Sequence, residues 1–293
     1  MNMQMCRNGH FYNREEQENC PYCEKEAAEG RLGPQMGITA DFPVVGGYME
    51  SKEQKLRIQT YLYTVTGGRS INQDRLWYEE NSKDGIWVIA DGLGGHRHSE
   101  LASAATVQTV ERLWRENHAV EYEELLLQCH QKIKCIQKEH PEAKDAASTI
   151  LLARRQGEYF SCAHAGDSRL YYFRDKKLMF RTKDHSVAQI SVTLGEITEK
   201  EQSSSPDRNK LYNVLGGERE PKVEIQKEFA MERGDAFLLC TDGFWQNTTE
   251  EEITVSLLKT DAAKDWAEVM LAEICKHLPK ERDNCSLICG RIA

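Results

Sequence analysis

Layered β-sheets flanked by helices, an α+β organisation, is the fold class this sequence predicts, and three observations predict it. Apolar, β-branched and aromatic runs of strand length come in blocks, at 58–65, 75–78 and 86–90 and again between 147 and 240. Helical periodicity is confined to segments between those blocks. Strands do not alternate regularly with helices, as they would in a parallel βαβ sheet. At 293 residues the chain can hold one large domain and a small appendage.

Taken in order, residues 1–26 hold Cys6, His10, Cys20 and Cys23. Residues 27–55 carry Gly30, Gly33, Pro34, Gly37, Pro43, Gly46 and Gly47 without periodicity, which reads as a linker. Strand signals begin at Ile58 and run to Val65, opening a domain at 56–293. Two amphipathic helices are expected next. Segment 99–117 gathers Leu101, Ala104, Ala105, Val110 and Leu113, and 121–138 gathers Leu125, Leu126, Cys129, Ile133 and Ile136. The strand-rich block 147–240 is interrupted by polar residues 196–210. A helix at 262–278, with Trp266, Val269, Met270, Ile274 and Leu278, precedes a closing strand, Cys285 to Cys289.

Composition narrows the function classes. Acidic residues outnumber basic ones 47 to 38, for a net charge of −9, which argues against a broad nucleic-acid surface. No apolar stretch approaches the ~18–20 residues of a membrane span, and the first residues lack a signal-peptide core. Ten cysteines are scattered, several inside apolar runs (Cys162, Cys240, Cys289), so reduced thiols in a cytoplasmic protein are expected.

Chemistry concentrates where apolar runs end in acids. Ile86–Ala90 leads into Asp91-Gly92-Leu93-Gly94-Gly95, and Phe237–Thr241 leads into Asp242-Gly243. Asp74, Asp167 and Asp283 also sit beside strand-like runs. An Asp at a strand end is held by the sheet, and the following glycine should let the backbone turn and bring a carbonyl close to whatever the carboxylate binds. Two unit charges ~4 Å apart repel by about 4 kcal/mol at an effective dielectric of ~20. Convergence of five such acids therefore calls for hard divalent cations, which favour carboxylate, carbonyl and water oxygens.

The ordered set Gly67-Gly68-Arg69-Ser70-Ile71-Asn72-Gln73-Asp74, Ala90-Asp91-Gly92-Leu93-Gly94-Gly95-His96, Ala147-Ser148-Thr149, Gly166-Asp167-Ser168-Arg169, Thr182-Lys183-Asp184-His185-Ser186, Thr241-Asp242-Gly243-Phe244-Trp245 and Asp283-Asn284 resembles the type-2C metal-dependent Ser/Thr protein phosphatases (the PPM family) in their bacterial form. The resemblance covers about residues 56–293. It implies a four-layer αββα sandwich of two mainly antiparallel sheets, and two Mn²⁺ or Mg²⁺ ions that neutralise phosphoryl charge and activate water. By the same resemblance Asp91 bridges the ions, the Gly92 carbonyl joins one, Asp242 and Asp283 the other, and Asp74 binds directly or through water. Arg69, five residues before Asp74, would contact phosphate through its planar fork. Asp167 would hold a third, weaker ion, although Gln246 stands where a further acid often helps. Gln73 likewise replaces an acid of some members. Segment 187–217 resembles the family's flap over the substrate approach. Leu93 follows the first Asp-Gly where some members carry a histidine general acid. His96 and His98 are weak alternatives, and His185 reads as part of a structural turn.

Phosphorylated proteins are the implied substrates, with a Ser/Thr kinase opposed, and the chain is expected to act as a monomer. Two other classes stay open: a weakly active phosphoprotein-binding scaffold of the same fold, and a zinc-dependent adaptor. The adaptor idea rests on Cys6, His10, Cys20 and Cys23, a Cys₃His set suited to one structural Zn²⁺.

Overall fold

The computed structural model describes residues 3–5, 11–13, 56–93, 98–277 and 283–293. Two short strands, β1 (Met3–Met5) and β2 (Phe11–Asn13), pair antiparallel. The expected zinc ligands Cys6, His10, Cys20 and Cys23, the linker 27–55 and His96 lie outside the described residues.

Among the described residues from Leu56 onward, ten strands form two five-stranded sheets with every pairing antiparallel. They are β3 (Ile58–Val65), β4 (Asp74–Glu80), β5 (Asp84–Asp91), β6 (Ile150–Gln156), β7 (Tyr159–Ala165), β8 (Arg169–Arg174), β9 (Lys177–Arg181), β10 (Glu224–Ala230), β11 (Ala236–Cys240) and β12 (Cys285–Ile292). One sheet runs β10-β7-β6-β5-β4 and the other β3-β12-β11-β8-β9. Alternation along the central strands divides the core. Trp87, Ile89, Leu151, Phe160, Leu170, Tyr172, Phe237, Leu239 and Ile288 fill the space between sheets. Their neighbours Ile86, Val88, Ile150 and Leu152 face helices α1 (Ser99–Glu116) and α2 (Tyr122–Glu139). On the other side Leu238, Cys240, Leu287 and Cys289 face α5 (Asp242–Trp245), α6 (Glu250–Leu258) and α7 (Ala263–His277). Central strands are thus covered on both faces, so they read as continuous apolar runs. Each fully buried large side chain contributes about 1.5–3 kcal/mol. The predicted αββα sandwich is the observed one.

Differences are local. On α1 the buried face is carried by Ala102, Ala105, Val110 and Trp114, while Leu101 is exposed. The polar interruption contains helices α3 (Val187–Thr193) and α4 (Glu199–Gln202). Helix α6 has no counterpart in the sequence expectations. Its start is fixed by a capping box, in which Thr249 Oγ1 accepts from the Glu252 N–H and the Glu252 carboxylate accepts from the Thr249 N–H. No helix among the described residues is long and apolar enough to cross a membrane.

Candidate metal centre and its acidic cluster

Strand pairing brings the acids together at one end of the sandwich. Asp74 opens β4 and Asp91 closes β5, and the two are paired across the ladder. Asp242 follows β11, Asp283 precedes β12, and those strands are neighbours in the second sheet. The Asp91 carboxyl feels the charges of Asp74, Asp242, Asp167 and Asp283 together, so it occupies the middle of the set. Asp167, between β7 and β8, is close enough to add to the charge felt by Asp91.

Burial and repulsion act in the same direction here. Burial first, then the charges of Asp74, Asp242, Asp167 and Asp283, push the Asp91 carboxyl well above its ordinary value. Asp74 is raised to about 7, chiefly by burial, against hydrogen bonds that lower it. Asp242 is raised to about 6 by burial and the neighbouring Asp283. Asp167 is raised by burial and Asp242.

The surroundings hold these acids in place. Asp74 Oδ2 accepts from Ser286 Oγ (2.7 Å) and Thr241 Oγ1 (3.0 Å). A relay of donors backs it, from Asn72 Nδ2 to Thr64 Oγ1 and from Thr64 to Ser286. Asp74 Oδ1, by contrast, is buried without a hydrogen-bond partner. The backbone of Asp91 is fixed by Ala147-Ser148-Thr149: Thr149 Oγ1 accepts from the Asp91 N–H, and Ser148 Oγ donates to its carbonyl. Asn284 receives the Gln73 N–H and donates to the carbonyls of Thr66 and Ile71, tying the Arg69 loop to β12.

Glycine is required for a different reason than expected. Neither Gly92 nor Gly243 has positive φ. A Cβ on Gly92 would press on the Ser99 carbonyl, and one on Gly243 would overlap the Asn284 carbonyl. Close approach of backbone, not turn geometry, excludes side chains at both positions.

Arg69 lies at the rim. Its Nε and a terminal nitrogen donate to the two oxygens of Asp283 at 2.9 and 2.6 Å, with both side chains substantially exposed. The guanidinium is therefore at the cluster and engaged with one of its acids. Gln246 donates to Asp242 Oδ2 (3.0 Å), so the amide supports an acid instead of supplying one. His98 starts α1 and pairs with Glu100 at 3.4 Å. Of the expected oxygen-site residues, Arg69, Asp74, Asp91, Gly92, Asp167, Asp242 and Asp283 are brought to this end. The hydroxyls of Thr241 and Ser286 were not anticipated. Thr241 adjoins Asp242 in the motif, whereas nothing in the local sequence marks Ser286.

The donor set fits divalent cations. It is all oxygen, with a buried carboxylate oxygen lacking a partner and four acids whose repulsion opposes their ionisation together. Residues 67–287 match the family model described as protein phosphatase 2C. A serine/threonine phosphatase Stp of Listeria innocua is 27% identical over 205 residues, 67% of this chain and 81% of the relative. The serine/threonine protein phosphatase PstP of Mycobacterium tuberculosis is 28% identical over 202 residues, 65% of this chain and 39% of that one. The fold is shared with solved structures. Stp1 from Staphylococcus aureus superimposes with a TM-score of 0.73 at 23% identity, covering 84% of this chain and all of that one. The catalytic domain of PstP in complex with two manganese ions gives 0.68 at 22%, covering 81% and 99%. With a family model matched over most of its length and the acidic cluster at the strand ends, this chain belongs to the protein phosphatase 2C family.

Proposed function

We propose that this chain is a metal-dependent protein serine/threonine phosphatase that hydrolyses phosphoserine and phosphothreonine and opposes a Ser/Thr kinase. The observation that carries the reading is the cluster of buried Asp74 with the half-buried Asp91 and Asp242, in which one Asp74 oxygen is unpartnered. Asp91, the Gly92 carbonyl, Asp74, Asp242 and Asp283 would hold two Mn²⁺ or Mg²⁺ ions, with Asp167 holding a third, weaker one. When bound, such ions neutralise phosphoryl charge and make water acidic enough to attack near neutral pH. The chain itself supplies orientation. Thr241 and Ser286 fix one oxygen of Asp74 and leave the other buried and free to take a cation. Arg69, held at the rim by Asp283, presents a fork that matches phosphate oxygens. Activity on a phosphothreonine peptide that requires Mn²⁺ or Mg²⁺ and is abolished by chelator tests the reading; metal-independent turnover, or none, refutes it.

Residues 56–293 would form the phosphatase domain, in keeping with the family match over 67–287. Residues 1–26 would form a zinc-binding segment through Cys6, His10, Cys20 and Cys23, joined by the linker 27–55. A reducing cytoplasm suits the free, buried thiols of Cys129, Cys162, Cys240 and Cys289, and the chain would act there as a monomer.

A further inference from the structure

Asp167 is flanked by two hydrogen-bond relays that both begin in the segment 187–217. The first starts at Asn213. Its amide nitrogen lies 2.9 Å from His185 Nδ1, which also accepts the Gly166 N–H at 3.2 Å. The Asn213 amide is oriented by the backbone of Lys222, donating to its carbonyl and accepting its N–H. Nδ1 therefore faces two donors and must carry the lone pair, which leaves the proton on Nε2, 3.1 Å from Glu224. That tautomer has no ligand atom to offer among His164, His185 and Glu224, although their polar atoms cluster. His185 is a hydrogen-bond junction, not a metal ligand.

The second relay starts at Gln202, a buried residue of α4. It donates to Asp184 Oδ2 at 2.8 Å. Asp184 in turn accepts the fork of Arg169 in two bonds of 2.7 Å. Arg169 stacks on Trp245, whose indole N–H donates to the Asp167 carbonyl at 2.9 Å. The relays thus converge on adjacent residues, Asp184 and His185, and end at Gly166 and at Arg169, on either side of Asp167.

We propose that Gln202 and Asn213 are positioning residues that register Asp167 through the Asp184–His185 pair, so that the placement of segment 187–217 sets the weakest cation site. The inference rests on the phosphatase reading, in which Asp167 holds that cation. Side chains with no route to the cluster of their own would then control its metal affinity. A single relay could be ordinary core satisfaction, since buried amides need partners wherever they sit. Two relays ending on both flanks of one acid fix its backbone position and direction together.

A double-mutant cycle tests this. Mn²⁺ is titrated by calorimetry into the full chain carrying Gln202→Ala with Asn213→Ala, into Asp167→Ala, and into the triple variant, with p-nitrophenyl phosphate turnover followed at fixed, sub-saturating Mn²⁺. The paired substitution should weaken the last Mn²⁺ step by about 5–20-fold, and lower turnover, through coupling of neighbouring sites. Asp167→Ala should remove that step, and the triple variant should match it. Equal losses in both backgrounds, as general destabilisation would give, overturn the proposal, as does an unchanged last step in the paired variant. A wild type that binds Mn²⁺ in these steps but does not turn over substrate would refute the phosphatase reading and leave the calorimetric cycle to decide the relay.

Discussion

Removing one charge from the acidic cluster should stabilise the metal-free protein. Asp74 is buried and raised to about 7 from an ordinary 3.8. A carboxyl with a raised folded-state value binds more protons folded than unfolded, so its contribution to stability declines as pH rises from about 4 to about 7. Once both states are ionised, that displacement costs the folded state roughly 4 kcal/mol, at about 1.4 kcal/mol for each tenfold change. Asp91 and Asp242 share the protons, so Asp74→Asn should recover about 2–4 kcal/mol at pH 7.5 and less than about 1 kcal/mol at pH 4. The amide oxygen can still accept from Ser286 and Thr241, and its NH₂ faces Asp91. Urea unfolding in the presence of chelator measures this. Buried histidines such as His130 and His164, whose values burial lowers, titrate in both proteins and cancel in the difference between variant and wild type, which reports Asp74 together with the Asp91 and Asp242 carboxyls that share its protons. With saturating Mn²⁺ the sign should reverse, because the wild type alone keeps the full ligand charge. A variant that is less stable than wild type in chelator at pH 7.5, or one equally stabilised at pH 4 and 7.5, would refute the electrostatic account.

Other outcomes follow from single residues. Arg69→Ala should raise KM for a phosphopeptide about tenfold with a smaller effect on kcat, the loss of one charged hydrogen-bonding group; unchanged kinetics would leave Arg69 only as the partner of Asp283. Gly243→Ala should lower unfolding stability by about 1–3 kcal/mol, because the new methyl overlaps the Asn284 carbonyl; a neutral effect in urea titration would contradict the close approach. The full chain should retain about one Zn²⁺ after mild chelation and lose it in the Cys20→Ser, Cys23→Ser variant, with small-phosphoester activity kept; elemental analysis finding no zinc in the reduced wild type would remove the knuckle.

Much of this was legible in the chain because the acids sit where apolar runs stop. Asp91 and Asp242 follow runs that the structure shows as buried central strands, and β3 occupies the expected Ile58–Val65. What escaped was what depends on distant partners. Ser286 lies within β12, and its hydroxyl acquires a purpose only when Thr64 of β3 and Asp74 of β4, in the facing sheet, come to either side of it. The need for glycine at 243 comes from Asn284, far along the chain. Helix α6 was missed because it is nine residues long and buries only Ile253, Ser256 and Leu257, too few positions to show a period. Asp184-His185 read as a turn, and its polar atoms acquire their roles only when Gln202, Asn213, Gly166 and Arg169 surround it.

On the proposed function, the carboxylates at the strand ends hold the cations that make phosphate hydrolysis possible. Calorimetric titration of Mn²⁺ into wild type and Asp91→Asn, with phosphothreonine-peptide turnover measured on the same samples, tests it most directly. Wild type should show at least two binding steps, and Asp91→Asn should lose tight binding and fall in turnover by about a hundredfold or more, as expected when a ligand of a metal that activates water is neutralised. Wild-type Mn²⁺ binding and turnover in a folded Asp91→Asn protein would contradict it.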